Sequence, residues 1–203
     1  MKNIDPNFYA SLAAARDAGL RVHRFVWFEG AAGDWSFGFW SGDEDISVAV
    51  LSGASGAPVT RTYYGGENLD TGDIAYLGEL AAQTIEIGLS QIGDVAQEMF
   101  RGRSLRLARC ELHEMADDPA TGELAGPPEP LFIGIVDAAP VTTPAVGGDG
   151  GVRITLASEP VLMLSRTSTR RSSAEAQRRR GGDEFARYAG TVGAWNLPWG
   201  RKG

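Results

Sequence analysis

Cysteine is nearly absent. Cys110 is the only one, which excludes an internal disulfide framework and any all-cysteine metal site. Histidine is almost as scarce, with His23 and His113 alone. No run of about 18 apolar residues occurs, so no membrane-spanning helix is expected. The first twenty residues, MKNIDPNFYASLAAARDAGL, lack the apolar core of a signal peptide, because Asp5, Arg16 and Asp17 interrupt them. Synthesis in a cytoplasm is therefore the expectation. No Gly-Lys-Ser/Thr phosphate loop occurs, and no dinucleotide fingerprint follows a strand. Lysine is confined to Lys2 and Lys202, so 17 of the 19 basic residues are arginine.

Those arginines are unevenly placed. The chain of 203 residues carries a net charge of −7. Residues 166–203 hold nine bases against three acids, a net of +6, whereas residues 1–165 hold ten against 23, a net of −13. Opposite charge in two parts of one chain points to an interaction tail.

The body has the material for a core, at 43% hydrophobic residues, and its 27 glycines and 10 prolines suit short strands joined by turns. DPNFYASLAAARDAG predicts a helix capped by Asp5, with Pro6 in its first turn and Gly19 as its stop. Phe8, Leu12 and Ala15 give it one apolar face. RVHRFVWFE and WSFGFW read as a hairpin. DISVAVL and TRTYY read as further strands. TIEIGLSQI alternates, with Ile85, Ile87 and Leu89 on one face and Glu86 and Ser90 opposite. GDVAQEMFRG is a short helix, Asp94 to Gly102. SLRLARCELHEM is a strand with Leu105 and Leu107 on one face; Cys110 and Leu112 change parity, which suggests a bulge near Ala108–Arg109. LFIGIVDAAPV and GVRITLA are strands flanking a GGDGG turn. Beyond Ser158, EPVLMLSRTS, SSAEAQRRRGG and DEFARYAGTV read as short helices, the last capped by Asp183. The expected organisation is an N-terminal helix (1–19), a β-rich domain (20–158) and an arginine-rich C-terminal arm (159–203). The fold class is mainly β with short helices, α+β.

Catalytic chemistry is hard to find. Cys110 and His113 are three apart on a strand, so they point to opposite faces and do not serve as joint ligands or as nucleophile and base. Asp43, Glu44 and Asp45, and separately Asp70 and Asp73, form acidic turns, but neither has the twelve-residue calcium loop ending in Glu. The expectation is a chain without enzyme activity, cofactor or metal.

Several stretches in order carry a resemblance: the N-terminal helix, FGFWSG (Phe37 to Gly42), YYGGENL, TIEIGLSQI, FRGRSLRL (Phe100 to Leu107), LFIGIVD, VRITLASEP, the arginine-rich arm through GGDEF, and the closing LPWG (Leu197 to Gly200). Together they resemble the tail-tip hub proteins of long-tailed bacteriophages and gene transfer agents. Larger hub relatives carry a C-terminal cysteine cluster for an iron–sulfur centre; Cys110 stands alone here, so that cofactor is not carried over. The resemblance implies a β-barrel or sandwich of tail-tube type. It implies a structural protein of the virion tail tip, a hub or baseplate component joining tube to tip and lining the DNA channel. Expected partners are copies of itself, with a trimer preferred over a hexameric distal-tail ring, then neighbouring tail-tube, distal-tail and tip proteins, and DNA in transit. The arm is then the subunit interface. Arg166, Arg170, Arg171, Arg178, Arg179 and Arg180 would pair with a neighbour's carboxylates, and Phe185, Tyr188, Trp195 and Trp199 would anchor them. The competing reading is a nucleic-acid-binding protein whose arm neutralises phosphates.

Overall fold

The computed structural model describes residues 5–74, 83–142, 151–160, 173–196 and 199–200. The chain divides into two compact units, Met1–Met163 and Leu164–Gly203. No helix among the described residues is long and apolar enough to cross a membrane.

The first unit opens with helix α1, Pro6–Ala18. Asp5 caps it, its carboxylate accepting from the N–H groups of Asn7 at 2.8 Å and Phe8 at 3.3 Å. Gly19, at φ 81°, ends it, as its position in the sequence suggests. The expected apolar face is corrected in one position. Leu12 is exposed, and Ser11 is buried instead between Phe8 and Ala15. Ser11 can be buried because its Oγ donates to the Asn7 carbonyl within the helix, at 3.1 Å.

Ten strands follow among the described residues: β1 Val22–Glu29, β2 Ser36–Trp40, β3 Ile46–Leu51, β4 Pro58–Tyr63, β5 Asp70–Thr71, β6 Thr84–Ser90, β7 Arg109–Ala116, β8 Glu129–Ala138, β9 Val141–Thr142 and β10 Gly151–Ser158. Helix α2, Asp94–Gly102, lies between β6 and β7. The fold is mostly β. Eight strands form one antiparallel sheet in the order β2-β1-β7-β8-β10-β6-β5, with β9 beside β10; β3 and β4 form a separate hairpin.

The chain leaving β4 bonds to strands near both ends of that large sheet. Tyr64 donates to Gly38 of β2 at 2.9 Å, and Ser90 at the end of β6 donates to Glu67 at 2.8 Å. These bonds cover part of the backbone at β2 and at the end of β6. Strand alternation then sends one set of side chains inward. Val26 and Phe28 of β1, Phe39 of β2, Leu112 of β7, Ile154 of β10 and Ile87 of β6 share one core. Ala96 and Met99 of α2 are buried in that same core. The opposite face of β1, β2 and β7 is covered as well. Phe25, Tyr63, Val50 and Met115 make a second cluster between the sheet and the β3–β4 hairpin, with Phe8 of α1 against it. Gly38 is the close-approach point: a Cβ there would strike the Thr62 carbonyl and the Tyr63 ring.

The expected strand from Ser104 needs correction. Residues 104–108 form a turn, in which Ala108 N–H bonds the Leu105 carbonyl at 3.0 Å. Leu107 sits at φ 60° and is exposed, while Leu105 is buried, so the two do not share a strand face. The register shift of β7 against β8 falls between Leu112 and His113, not at Ala108–Arg109. The GGDGG turn lies largely outside the described residues, as does most of EPVLMLSRTS.

The described residues of the second unit form two short helices, α3 Ala174–Arg178 and α4 Ala189–Val192. Ser173 caps α3, accepting from Ala176 N–H at 3.2 Å. Gly181 and Gly182 follow at positive φ, and Gly182 N–H returns to the Arg178 carbonyl at 2.9 Å. The helix expected from Asp183 is shorter than its sequence suggests. The Asp183 carboxylate takes the Phe185 N–H at 2.9 Å, which fixes a local turn in place of a helix start. Regular helix begins only at Ala189.

Candidate functional site

Of the ten residues expected at an interface, Arg166, Arg170 and Arg171 lie outside the described residues. Arg178, Arg179 and Arg180 end α3 and enter the turn after it, all exposed. Phe185 is 92% exposed, Trp199 90%, Trp195 58% and Tyr188 57%. None of the described residues of this unit is buried. Its internal order comes from polar contacts. Gln177 Oε1 accepts from Ala186 N–H at 3.1 Å, tying α3 to the segment after the glycines. Glu184 lies 3.6 Å from Arg178 and 3.2 Å from Arg187. The Arg187 guanidinium also lies over the Tyr188 ring, 5.5 Å from its centroid. Two arginines are thus held by Glu184, whereas Arg179 and Arg180 have no ion-pair partner among the described residues. The organising roles of Gln177 and Glu184 are absent from the sequence reading. The i,i+3 spacing of Glu184 and Arg187 is the signal that could have shown part of it.

A second polar constellation lies inside the first unit. Strand β7 sends Cys110 and Leu112 into the main core and turns Glu111 and His113 to the other face, the opposition expected for Cys110 and His113. The register with β1 sets Glu111 beside Trp27 and His113 beside Phe25. Glu111 Oε2 accepts from Arg61 of β4 at 2.8 Å and from the Gly53 N–H at 3.1 Å. Arg61 lies over Trp27, 4.8 Å from the ring centroid. His113 Nε2 lies 2.8 Å from the Leu51 carbonyl, which requires the proton on Nε2.

Burial alone would raise the Glu111 carboxyl. The hydrogen bonds from Arg61 and Gly53, and the nearby positive charge, outweigh it and hold the group below the ordinary carboxylate range. Burial pushes His113 down to about 4, against the opposing pull of the Leu51 carbonyl and Glu111. His113 is therefore neutral at neutral pH, and its 3.7 Å approach to Glu111 is then no ion pair. Burial pushes the Tyr63 hydroxyl up to about 12 and the Cys110 thiol well above its usual value. Glu111, Arg61 and His113 are all buried. What the group does chemically is to fasten the β3–β4 hairpin to the sheet through its charges. Among the described residues, no cluster of His, Cys, Asp or Glu is placed to hold a metal ion.

Comparison with protein-family models gave no match, and comparison with curated proteins gave none either.

Proposed function

We propose that this chain is a structural subunit of a bacteriophage tail tip, a hub or baseplate protein joining the tail tube to the distal tip around the DNA channel. Its C-terminal unit holds neighbouring subunits together. One observation carries the assembly role: that unit buries none of its described residues, yet exposes Phe185, Tyr188, Trp195 and Trp199. A segment of roughly 40 residues rarely builds a core of its own. Exposed aromatics with free arginines are the composition of an interface, not of a solvated tail. The charge imbalance supports the same role, since a +6 arm is attracted to a −13 body that would otherwise repel its copies. The tail-tip assignment itself rests on the sequence resemblance. A large antiparallel sheet is an architecture that suits the wall of a ring. Three copies around the axis are the proposed state.

Antibody labelling of intact particles, read by electron microscopy, tests the assignment. Label at the far end of the tail is the expected result. Abundant chain in the lysate with no label on any particle would contradict it. A DNA gel shift that collapses as salt is added would instead give the arginines to phosphates.

A further inference from the structure

The first unit has an open groove of about 1040 Å3 between the start of β1, the end of β2 and the loop after β7. Val22, Trp40, Ile46 and Leu124 give it apolar walls. The His23 ring lies 5.1 Å from that of Trp40. Five acids also line it, against the single arginine Arg21. Two of the five are engaged within the fold: Asp45 accepts from Gly65 N–H at 3.1 Å, and Asp117 bonds His23 at 3.1 Å. Asp43, Glu44 and Glu123 are exposed, and among the described residues their carboxylates have no partner. The groove thus sets apolar walls beside three unpaired negative charges.

We infer that this groove receives the C-terminal unit of a second copy of this chain. The inference rests on the assembly reading above and names its acceptor site. The chain carries the complement of the groove on its other unit. Arg179 and Arg180 are exposed and unpaired, while Arg178 and Arg187 are already held by Glu184. Guanidinium forks match carboxylates in pairs. Phe185 and Trp195 add apolar surface to meet the groove walls. The contact joins two different surfaces, arm to groove, so each copy both gives and receives. Such head-to-tail contacts close into a ring when the rotation between copies allows it. That is the geometry a tail-tip subunit requires.

A charge swap in the full chain tests this. One variant carries Asp43→Lys, Glu44→Lys and Glu123→Lys; the other carries Arg179→Glu and Arg180→Glu. All five positions are exposed, so both variants should melt as the unaltered chain does. Self-association is read by sedimentation equilibrium at low salt. Each variant alone sets like charge on like charge, and each should need at least about tenfold more protein to associate. An equimolar mixture should recover association in part, because a groove of one variant then meets an arm of the other with opposite charge; in a ring of three, two of the three contacts are complementary. Recovery on mixing requires two molecules, which a unit folding onto its own chain does not provide. A groove variant that associates like the unaltered chain, while the arm variant does not, overturns the acceptor site and leaves the assembly reading standing. An unaltered chain that stays monomeric throughout overturns both.

Discussion

Glu111 alternates with Cys110 and Leu112 along its strand, and in the fold it is 2% exposed. Strand alternation gives parity but not what covers each face. The face carrying Glu111 and His113 is roofed by the β3–β4 hairpin, whose Arg61 arrives from fifty residues away. No local pattern announces such a pair. Its energetics are nonetheless simple. Removing Arg61 would leave a buried, unpaired carboxylate, so Arg61→Ala should lower stability by about 3–5 kcal/mol in urea unfolding. His113 gives a pH prediction. Unfolded, its imidazole takes up a proton near 6.5; folded, it does so near 4. Between those values the unfolded chain binds more protons, so stability is present above about pH 6.5 and is lost as the pH falls towards 4. The lowered carboxyl of Glu111 adds a loss of the same sign at the acid end. Melting temperatures recorded from pH 7 to pH 4 should fall, and His113→Gln, which keeps a donor for the Leu51 carbonyl, should flatten the slope.

Among the elements, those with local signals were the most legible. α1 was marked at both ends by Asp5 and Gly19, and α2 emerged at Asp94–Gly102 as expected. The alternation of Ile85, Ile87 and Leu89 placed the inward face of β6. Legibility failed where backbone geometry overrode the apolar pattern, as at Leu107, which sits at positive φ in a turn. The bridge from the chain after β4 to β2 and β6 is not legible, because it consists of backbone bonds from Tyr64 and to Glu67. Glu67 shows how tightly that segment is packed. It is buried, and burial raises its carboxyl pKa against the pull of the Ala96 and Val95 N–H groups at the start of α2. A Cβ at Gly93 would strike the Glu67 carboxyl. Gly93→Ala should therefore destabilise the first unit by about 1–3 kcal/mol, seen as a lower urea midpoint with the strand circular dichroism retained in water.

At the scale of the whole molecule, charge was the informative signal. The +6 and −13 portions were legible in the sequence, and so was the concentration of arginine and aromatic residues near the end. What covers the exposed aromatics was not, because that depends on a surface supplied from elsewhere. The groove is not legible in the sequence for a related reason. Its acids come from the loop after β2 and from the loop after β7, which are far apart in sequence. The GDEDIS turn alone lacks the spacing of a calcium loop. The first unit has two apolar clusters of its own, so it should fold without residues 164–203. The most direct measurement compares sedimentation of the full chain with that of residues 1–163. The account predicts that the full chain self-associates and that the shortened chain is folded, by its strand circular dichroism, but monomeric. A folded 1–163 that assembles as readily as the full chain would contradict it.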